Sequence, residues 1–448
     1  MTRAKILLCC LFSLLALPVL AQEEGIVFFK GSWKKVLAEA KKSNKLIFVD
    51  VYTDWCGPCK QMEKEIFPLR GVGEKYNTHF VNYRIDAEKG EGRFLSKAYD
   101  VKSYPTYLYF NGEGELVFRA KGYSPNPKRF LALGDTALRF HHSKETIVSD
   151  QAAYENRKQD KAFVAGYLKK LTRFGMSEDT ISKVLDHFYS QLTPLELKDT
   201  ATAALLLNSL TTVQSPVFEY VISNQSFYRS FAKQLPTTLG NVVLNSYMKA
   251  IGKKNDVLFK AASAASNKVE NPSLKYPYSV FLFENQYYLT TKQTDEIIKR
   301  APAFMDSTCR ITEKEMAQRD QLFYDQVLSL YTTRYLDSTT VPFFSREKLT
   351  WRNNYSKYVA VALNKTADVF LQYAQQKEDL KKACTWAARS VNLQPDNHSF
   401  YAVLAKLYAK TGMKQEAMAT MKTAIDLAHN QKAPEMAIQA YEDALKKL

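Results

Sequence analysis

The feature that most constrains this chain is a pair of cysteines, Cys56 and Cys59, separated by Gly-Pro. The pair follows the apolar run 46–52, whose β-branched and aromatic residues predict a buried strand. Beyond the pair, Met62 and Ile66 are apolar and charged residues lie between them, which is typical of an amphipathic helix. The sequence therefore predicts a strand, a turn and then a helix that begins at the cysteines.

This placement gives the two cysteines different chemistry. Unpaired backbone N–H groups and the helix dipole favour an anion at a helix N-terminus, so Cys56 is expected to ionise more easily than a free thiol and to act as the nucleophile. Cys59 lies three residues further on the same helical face and is expected to resolve a mixed disulfide formed at Cys56. Pro58 suits the first helical turn, where its missing N–H is no loss.

A C-x-x-C pair can also be half of a zinc site. In the next hundred residues, only His79 and the pair His141–His142 could complete such a site, and His141–His142 lacks a ligand spacing. The favoured interpretation is a redox-active dithiol that needs no metal and no further cofactor.

The residues around the pair resemble the thioredoxin family over about residues 26–141. Asp50 matches the buried acid of that family, and Tyr104-Pro105-Thr106 is similar to its cis-proline loop. The stretch 59–67, including Glu63, resembles the periplasmic subset that contains the C-terminal domain of DsbD. The resemblance implies an α/β thioredoxin-like domain, with a central mixed sheet and flanking helices.

The resemblance also implies roles for Asp50, Glu63 and Pro105 in catalysis. An acid in an apolar strand is expected to have a raised pKa, which suits proton exchange with Cys59; an ordinary hydrogen-bonded acid is the alternative for Asp50. Glu63 is expected either to relay a proton and tune a pKa or to lie on a solvated helix face. Pro105 is expected to be a cis-proline beside the active site rather than an edge-strand proline.

Two aromatic residues are expected at the substrate-binding lip of the site. The backbone of Tyr104, next to Pro105, is placed to pair with an extended substrate segment. Trp55 is expected to belong both to the core and to the lip, and Lys60 to be a solvated helix residue.

Residues 1–21 have the pattern of a secretory signal. Basic residues precede an apolar stretch, 6–20, that is short for a membrane span, and Ala21 is a small residue at a suitable cleavage position. We expect cleavage after Ala21 and an exported, periplasmic protein in an oxidising compartment. Cys9 and Cys10 would be discarded with the signal.

The basic composition does not predict nucleic-acid binding. The chain has 62 Lys and Arg against 46 Asp and Glu, a formal charge of +16, but the excess is spread along the sequence. No basic run is interleaved with aromatic residues, and export also argues against nucleic acid as a partner.

From about residue 145 the apolar residues follow a helical period. Thr193-Pro194-Leu195-Glu196 and Thr312-Glu313-Lys314-Glu315 each predict a helix start. His187 lies on an apolar helical stripe and is expected to be a satisfied core histidine.

The last eighty residues contain a 34-residue spacing, which is the period of the tetratricopeptide repeat (TPR). The pairs at this separation are Ala374 with Tyr408, Ala383 with Ala417, Ser390 with Ala424, and Pro395 with His429. Two repeats bury little apolar surface alone, so the helices before residue 364 are expected to stack against them. A concave surface that binds a protein partner and a purely structural arm remain open alternatives.

Cys309 and Cys384 are the remaining cysteines of the mature chain. They could pair in an oxidising compartment, but helical residues 75 positions apart need not meet. Buried free thiols are the favoured state.

We therefore expect a signal peptide at 1–21, a thioredoxin-like domain at 22–144, an all-α region at 145–363 and TPR-like repeats at 364–448. The expected function is an exported thiol-disulfide oxidoreductase that reduces or isomerises the disulfides of envelope proteins. Gly-Pro between the cysteines resembles the reducing end of the family, and no dinucleotide fingerprint is present, so a membrane electron donor of the DsbD type is implied. The alternative is a non-catalytic envelope scaffold with a thioredoxin-like docking module and a partner-binding arm.

Overall fold

The computed structural model describes residues 25–99, 101–142, 147–334 and 351–448. The expected signal peptide and its cleavage position lie outside these residues. The described residues form two compact units, one of residues up to 157 together with 173–175, the other of residues 158–172 and 176–448.

The first unit alternates helices and strands. In chain order its elements are α1 (Trp33–Ser43), β1 (Leu46–Tyr52), α2 (Gly57–Glu65), α3 (Arg70–His79), β2 (Phe80–Asp86), α4 (Gly90–Ala98), β3 (Thr106–Phe110), β4 (Leu116–Lys121), α5 (Pro127–His142) and α6 (Val148–Arg157). The strand order is β2-β1-β3-β4, with β1 parallel to β2 and antiparallel to β3, while β3 and β4 are antiparallel. The predicted mixed sheet with flanking helices is confirmed.

Aromatic packing fixes β1 at the centre of this sheet. The ring of Phe48 lies 4.9 Å from that of Tyr76 and 5.8 Å from that of Phe130, and Tyr76 stacks on Phe130 at 4.6 Å. The hydroxyls of Tyr76 and Tyr109 are 2.8 Å apart, so the polar ends of these buried rings are hydrogen-bonded. Because β1 also pairs with β2 on one edge and with β3 on the other, the turn that follows it starts from a fixed position.

Helices form the regular structure of the second unit. In chain order these are α7 (Lys161–Arg173, whose last residue is grouped with the first unit), α8 (Glu178–Ser190), α9 (Thr200–Asn208), α10 (Pro216–Ser223), α11 (Gln225–Phe231), α12 (Leu235–Lys253), α13 (Asp256–Ser266), α14 (Tyr276–Thr290), α15 (Thr294–Cys309), α16 (Glu313–Arg334), α17 (Asn354–Tyr373), α18 (Lys377–Leu393), α19 (His398–Thr411), α20 (Lys414–Asn430) and α21 (Glu435–Lys446). Of the helices in the described ranges, none has both the length and the apolar character needed to cross a membrane.

The two predicted helix starts have different outcomes. At α16, the amide of Thr312 donates to Glu315 at 2.9 Å and the amide of Glu315 donates back to Thr312 at 3.3 Å, so this capping box is confirmed. The same reciprocal bonds join Thr193 and Glu196, but they precede only a three-residue 3₁₀ turn. The prediction of an α-helix there is wrong, because Asp199 provides the cap for α9.

The residues at the 34-residue spacing lie inside the helical unit. Ala383, Ser390, Ala417 and Ala424 have no exposed surface. One apolar cluster runs without a break from α14 to α19, so the expected stacking of earlier helices against the last ones is confirmed. His187 lies 2.8 Å from the carbonyl oxygen of Lys158 through its Nε2 atom, in agreement with a satisfied histidine.

Candidate active site

The two cysteines lie where β1 leads into α2. Cys56 is the N-cap of α2, and its sulfur accepts a hydrogen bond from the backbone amide of Cys59 at 3.1 Å. The sulfurs are joined in a disulfide with an S–S distance of 2.03 Å. When the disulfide opens, a thiolate at Cys56 would face the helix N-terminus, which stabilises negative charge.

Asp50 lies on β1, six residues before Cys56 in the sequence, and is 1% exposed. Burial raises its pKa from 3.8 to about 7, although the nearby Arg84 guanidinium acts in the opposite direction. A carboxyl group with a pKa near neutrality can take up and release a proton under physiological conditions, which is the property that a general base requires.

Arg84 is a site residue that the sequence analysis missed. It pairs with Asp50 in the parallel register of β1 and β2, and its Nε atom lies 3.1 Å from Asp50 Oδ2. Its guanidinium also lies 4.2 Å from the ring centroid of Tyr52. The available signal was a single arginine in the apolar stretch 80–85, but only the strand register brings it to Asp50.

Glu63 lies on α2 and is bound to the same arginine. Its two carboxylate oxygens accept from Arg84 at 2.6 Å and 3.1 Å. This hydrogen bond lowers the pKa of Glu63, so Glu63 is anionic at neutral pH. The side chain is thus part of an Asp50–Arg84–Glu63 chain of charges and not simply a solvated face.

The cis-proline loop lies beside β3. The Tyr104–Pro105 peptide bond is cis, and the Pro105 carbonyl accepts from the Gly122 amide at 2.9 Å. The ring of Tyr104 meets that of Trp55 edge-on at 5.8 Å, so the two aromatic residues expected at the substrate-binding lip are in contact with each other.

The expected core contribution of Trp55 is wrong. Its side chain is 66% exposed, and its indole Nε1 donates to Glu88 at 3.0 Å. Trp55 lies in the turn between β1 and α2, where its neighbours do not enclose it, and Tyr52 rather than Trp55 carries the aromatic contact with Arg84. Glu88 is a second residue that the sequence did not reveal. Lys60 is exposed, as predicted.

Metal-binding side chains do not gather around the pair. Over the ranges that the structure describes, no group of three or more His, Cys, Asp or Glu side chains is arranged to hold a metal ion.

Cys309 and Cys384 are free thiols, as predicted, but only Cys384 is fully buried, whereas Cys309 is half-buried. Both line a cavity of about 540 Å³ in the second unit. Burial raises the pKa of Cys309 to about 11 and also raises that of Cys384. The two thiols are therefore protonated at neutral pH and poor nucleophiles.

The fold, the disulfide at a helix N-terminus and the buried acid define a thioredoxin-like domain with a disulfide oxidoreductase fold. Residues 33–138 match the family described as a thioredoxin-like domain. Thioredoxin H4 of Arabidopsis thaliana is 31% identical over 106 residues, which are 23% of this chain and 84% of that protein. The chain belongs to the thioredoxin family.

Further comparisons also match only part of the chain. The thiol:disulfide interchange protein DsbD of Vibrio cholerae is 36% identical over 90 residues, 20% of this chain and 15% of DsbD. The solution structure of a candidate disulphide-isomerase from Bacteroides thetaiotaomicron is 43% identical, covers 25% of this chain and 95% of its own, and has a TM-score of 0.24. The chain spans 64% of the length of two Drosophila thioredoxins that it also matches.

Proposed function

We propose that this protein is an exported thiol-disulfide oxidoreductase that reduces or isomerises disulfides in envelope proteins. The observation that carries the proposal is the position of Cys56 as the N-cap of α2, with Cys59 three residues beyond it and the buried acid Asp50 on the preceding strand. Similarity to the thiol:disulfide interchange protein DsbD supports disulfide exchange.

The proposed reaction moves two electrons from the dithiol to a substrate disulfide. The Cys56 thiolate attacks one substrate sulfur, and the other substrate sulfur leaves as a thiolate. Asp50 then takes the proton of the Cys59 thiol, and the Cys59 sulfur attacks Cys56. The mixed disulfide breaks, the second substrate sulfur is released, and the enzyme disulfide forms.

In this proposal, Trp55, Tyr104 and Pro105 hold the substrate. The backbone next to Pro105 pairs with an extended substrate segment, and the exposed Trp55 and the Tyr104 ring contact its side chains. Regeneration of the dithiol needs an external dithiol donor. We propose a membrane protein of the DsbD type for this step.

The helical unit is proposed to bind a protein partner. Residues 364–448 would form TPR-like repeats that follow the all-α region 145–363, and the thioredoxin-like domain would occupy 22–144 after removal of the signal peptide. The buried small residues at the 34-residue spacing support a close-packed repeat arm, whose open surface would face a client or the electron donor.

A Cys59→Ser variant tests the catalytic proposal. Without the resolving sulfur, Cys56 should accumulate mixed disulfides with envelope proteins, which non-reducing electrophoresis and mass spectrometry would detect. A Cys56→Ser variant is the matched control and should trap nothing. Absence of adducts with Cys59→Ser, together with partner capture by the helical unit in the full chain, would favour the scaffold function instead. The size of that unit favours this second candidate, since disulfide exchange alone does not require it.

A further inference from the structure

Arg84 connects two acids that lie on different elements of the site. Asp50 is buried on β1, Glu63 is 55% exposed on α2, and Arg84 reaches both from β2 with its own side chain 19% exposed. The guanidinium fork meets the Glu63 carboxylate with two nitrogens, at 2.6 Å and 3.1 Å. Such paired contacts fix orientation as well as charge.

The two oxygens of Asp50 are used differently. Oδ2 accepts from Arg84 at 3.1 Å, whereas Oδ1 is buried and has no hydrogen-bond partner among the residues that the structure describes. A buried oxygen without a partner is costly, because it has lost its contact with water. In an active site, such an atom is available to a reacting group.

We propose that Arg84 is a positioning residue for disulfide exchange. It holds Asp50 through Oδ2 and is itself held by Glu63, so that Oδ1 is left in a fixed orientation to accept the proton of the Cys59 thiol. This inference rests on the proposed function, and it gives Glu63 the role of orienting and partly neutralising Arg84 in place of relaying a proton.

The charges around Asp50 predict the direction of each effect. Arg84 favours the anionic form of Asp50, and Glu63 disfavours it. Tyr107, which faces Asp50 across β1 and β3, and the neighbouring Tyr109 both have raised pKa values, so they are neutral at physiological pH. Removal of Arg84 should therefore raise the pKa of Asp50, whereas removal of the Glu63 charge should lower it.

These opposite signs define the test. We would measure the pH dependence of insulin disulfide reduction by the full chain with Arg84→Met, Arg84→Lys and Glu63→Gln. Arg84→Met should move the midpoint of the pH profile upward by about one pH unit or more, since a neighbouring opposite charge lowers a carboxyl pKa by about 1–3 units. Glu63→Gln should move it downward, and Arg84→Lys, which keeps the charge, should move it less than Arg84→Met.

Arg70→Gln is the matched control, because it breaks the exposed Arg70–Glu74 pair in the same unit and should leave the profile unchanged. If Arg84→Met does not fold, Glu63→Gln and Arg84→Lys still test the opposite shifts of the midpoint, downward for Glu63→Gln and upward for Arg84→Lys. Midpoints that do not move, or that move in the same direction for Arg84→Met and Glu63→Gln, would overturn the inference.

A second readout does not depend on turnover. With ¹³C-labelled aspartate in the reduced full chain, the Asp50 carboxyl signal, assigned by its loss in Asp50→Asn, reports the pKa directly. The signal should titrate higher in Arg84→Met and lower in Glu63→Gln. Unchanged titrations would refute the role of Arg84 even in an active enzyme, whereas shifted titrations in a chain that reduces no disulfide would refute the proposed function and with it the catalytic use of Arg84.

Discussion

The backbone amide of Cys59 donates a hydrogen bond to the sulfur of Cys56 across 3.1 Å. This contact makes the first cysteine the cap of α2 and directs its sulfur at the unpaired amides of the first turn. Cys56, which caps the helix, is thus also the residue that would carry out the chemistry. Stability and reactivity can be separated by the choice of substitution at this position.

Cys56→Ser and Cys56→Ala should both abolish disulfide exchange but differ in stability. A serine hydroxyl can cap α2, whereas alanine cannot, so the alanine variant should be less stable by about 0.5–2 kcal/mol. Urea denaturation under reducing conditions would measure this difference. Equal stability of the two variants would show that a capping side chain at position 56 does not stabilise α2.

Asp50 should make the stability of the protein depend on pH. Its folded pKa is about 7, above its ordinary value of 3.8, so the folded state binds the proton more tightly than the unfolded chain. Proton binding by Asp50 therefore makes its full contribution to the free energy of unfolding below about pH 4. This contribution is lost as the pH rises to about 7, and the loss should reach about 4 kcal/mol.

Asp50→Asn removes this titration. The free energy of unfolding of the Asp50→Asn variant, relative to that of the wild type, should rise between pH 4.5 and pH 8, as measured by urea denaturation at each pH. A difference that stays constant over this range would contradict the raised pKa of Asp50.

Trp55→Ala should affect substrate binding and leave folding intact. Because the side chain is 66% exposed, the free energy of unfolding should change by no more than about 0.5 kcal/mol. A tryptophan at an interface often contributes more than about 1 kcal/mol to binding, so kcat/KM for a disulfide-bonded protein should fall by about five- to tenfold. A small aromatic disulfide, which does not extend along the lip, is the control substrate. An equal loss with both substrates would argue against a binding role.

Ala417→Leu should destabilise the helical unit. Ala417 has no exposed surface, and extra methylene groups in a well-packed core cost about 1–3 kcal/mol. Ala419→Leu, on the exposed face of the same helix, is the matched control and should be neutral. Thermal unfolding of both variants measures the difference, and a tolerated leucine at 417 would weigh against close helix packing at the 34-residue spacing.

Local patterns were sufficient to predict much of the site. The alternation from an apolar strand to an amphipathic helix placed Cys56 at a helix N-terminus, and an acid within that strand indicated burial of Asp50. Arg84 was missed because it lies 34 residues from Asp50 and reaches it only through the register of two parallel strands. Long-range pairing of this kind leaves no periodic signal in a single sequence.

Two other errors arose from context that local rules do not include. The bonds between Thr193 and Glu196 form as the sequence predicts, but only one 3₁₀ turn follows them, and the next α-helix begins after its own cap at Asp199. Trp55 is large and apolar, which favours burial, yet a turn beside the active site leaves it exposed. In both cases the residue type was informative and its surroundings decided the outcome.

The most direct test of the account is the equilibrium of the Cys56–Cys59 pair in the full chain. The chain would be incubated in dithiol–disulfide buffers of defined potential, and its free thiols would be alkylated and assigned by mass spectrometry. Both cysteines should open and close together as a two-electron couple near the thioredoxin potential of about −270 mV, while Cys309 and Cys384 stay reduced. A pair that never closes, or that closes with a midpoint near the strong-oxidant value of about −120 mV, would contradict this expectation.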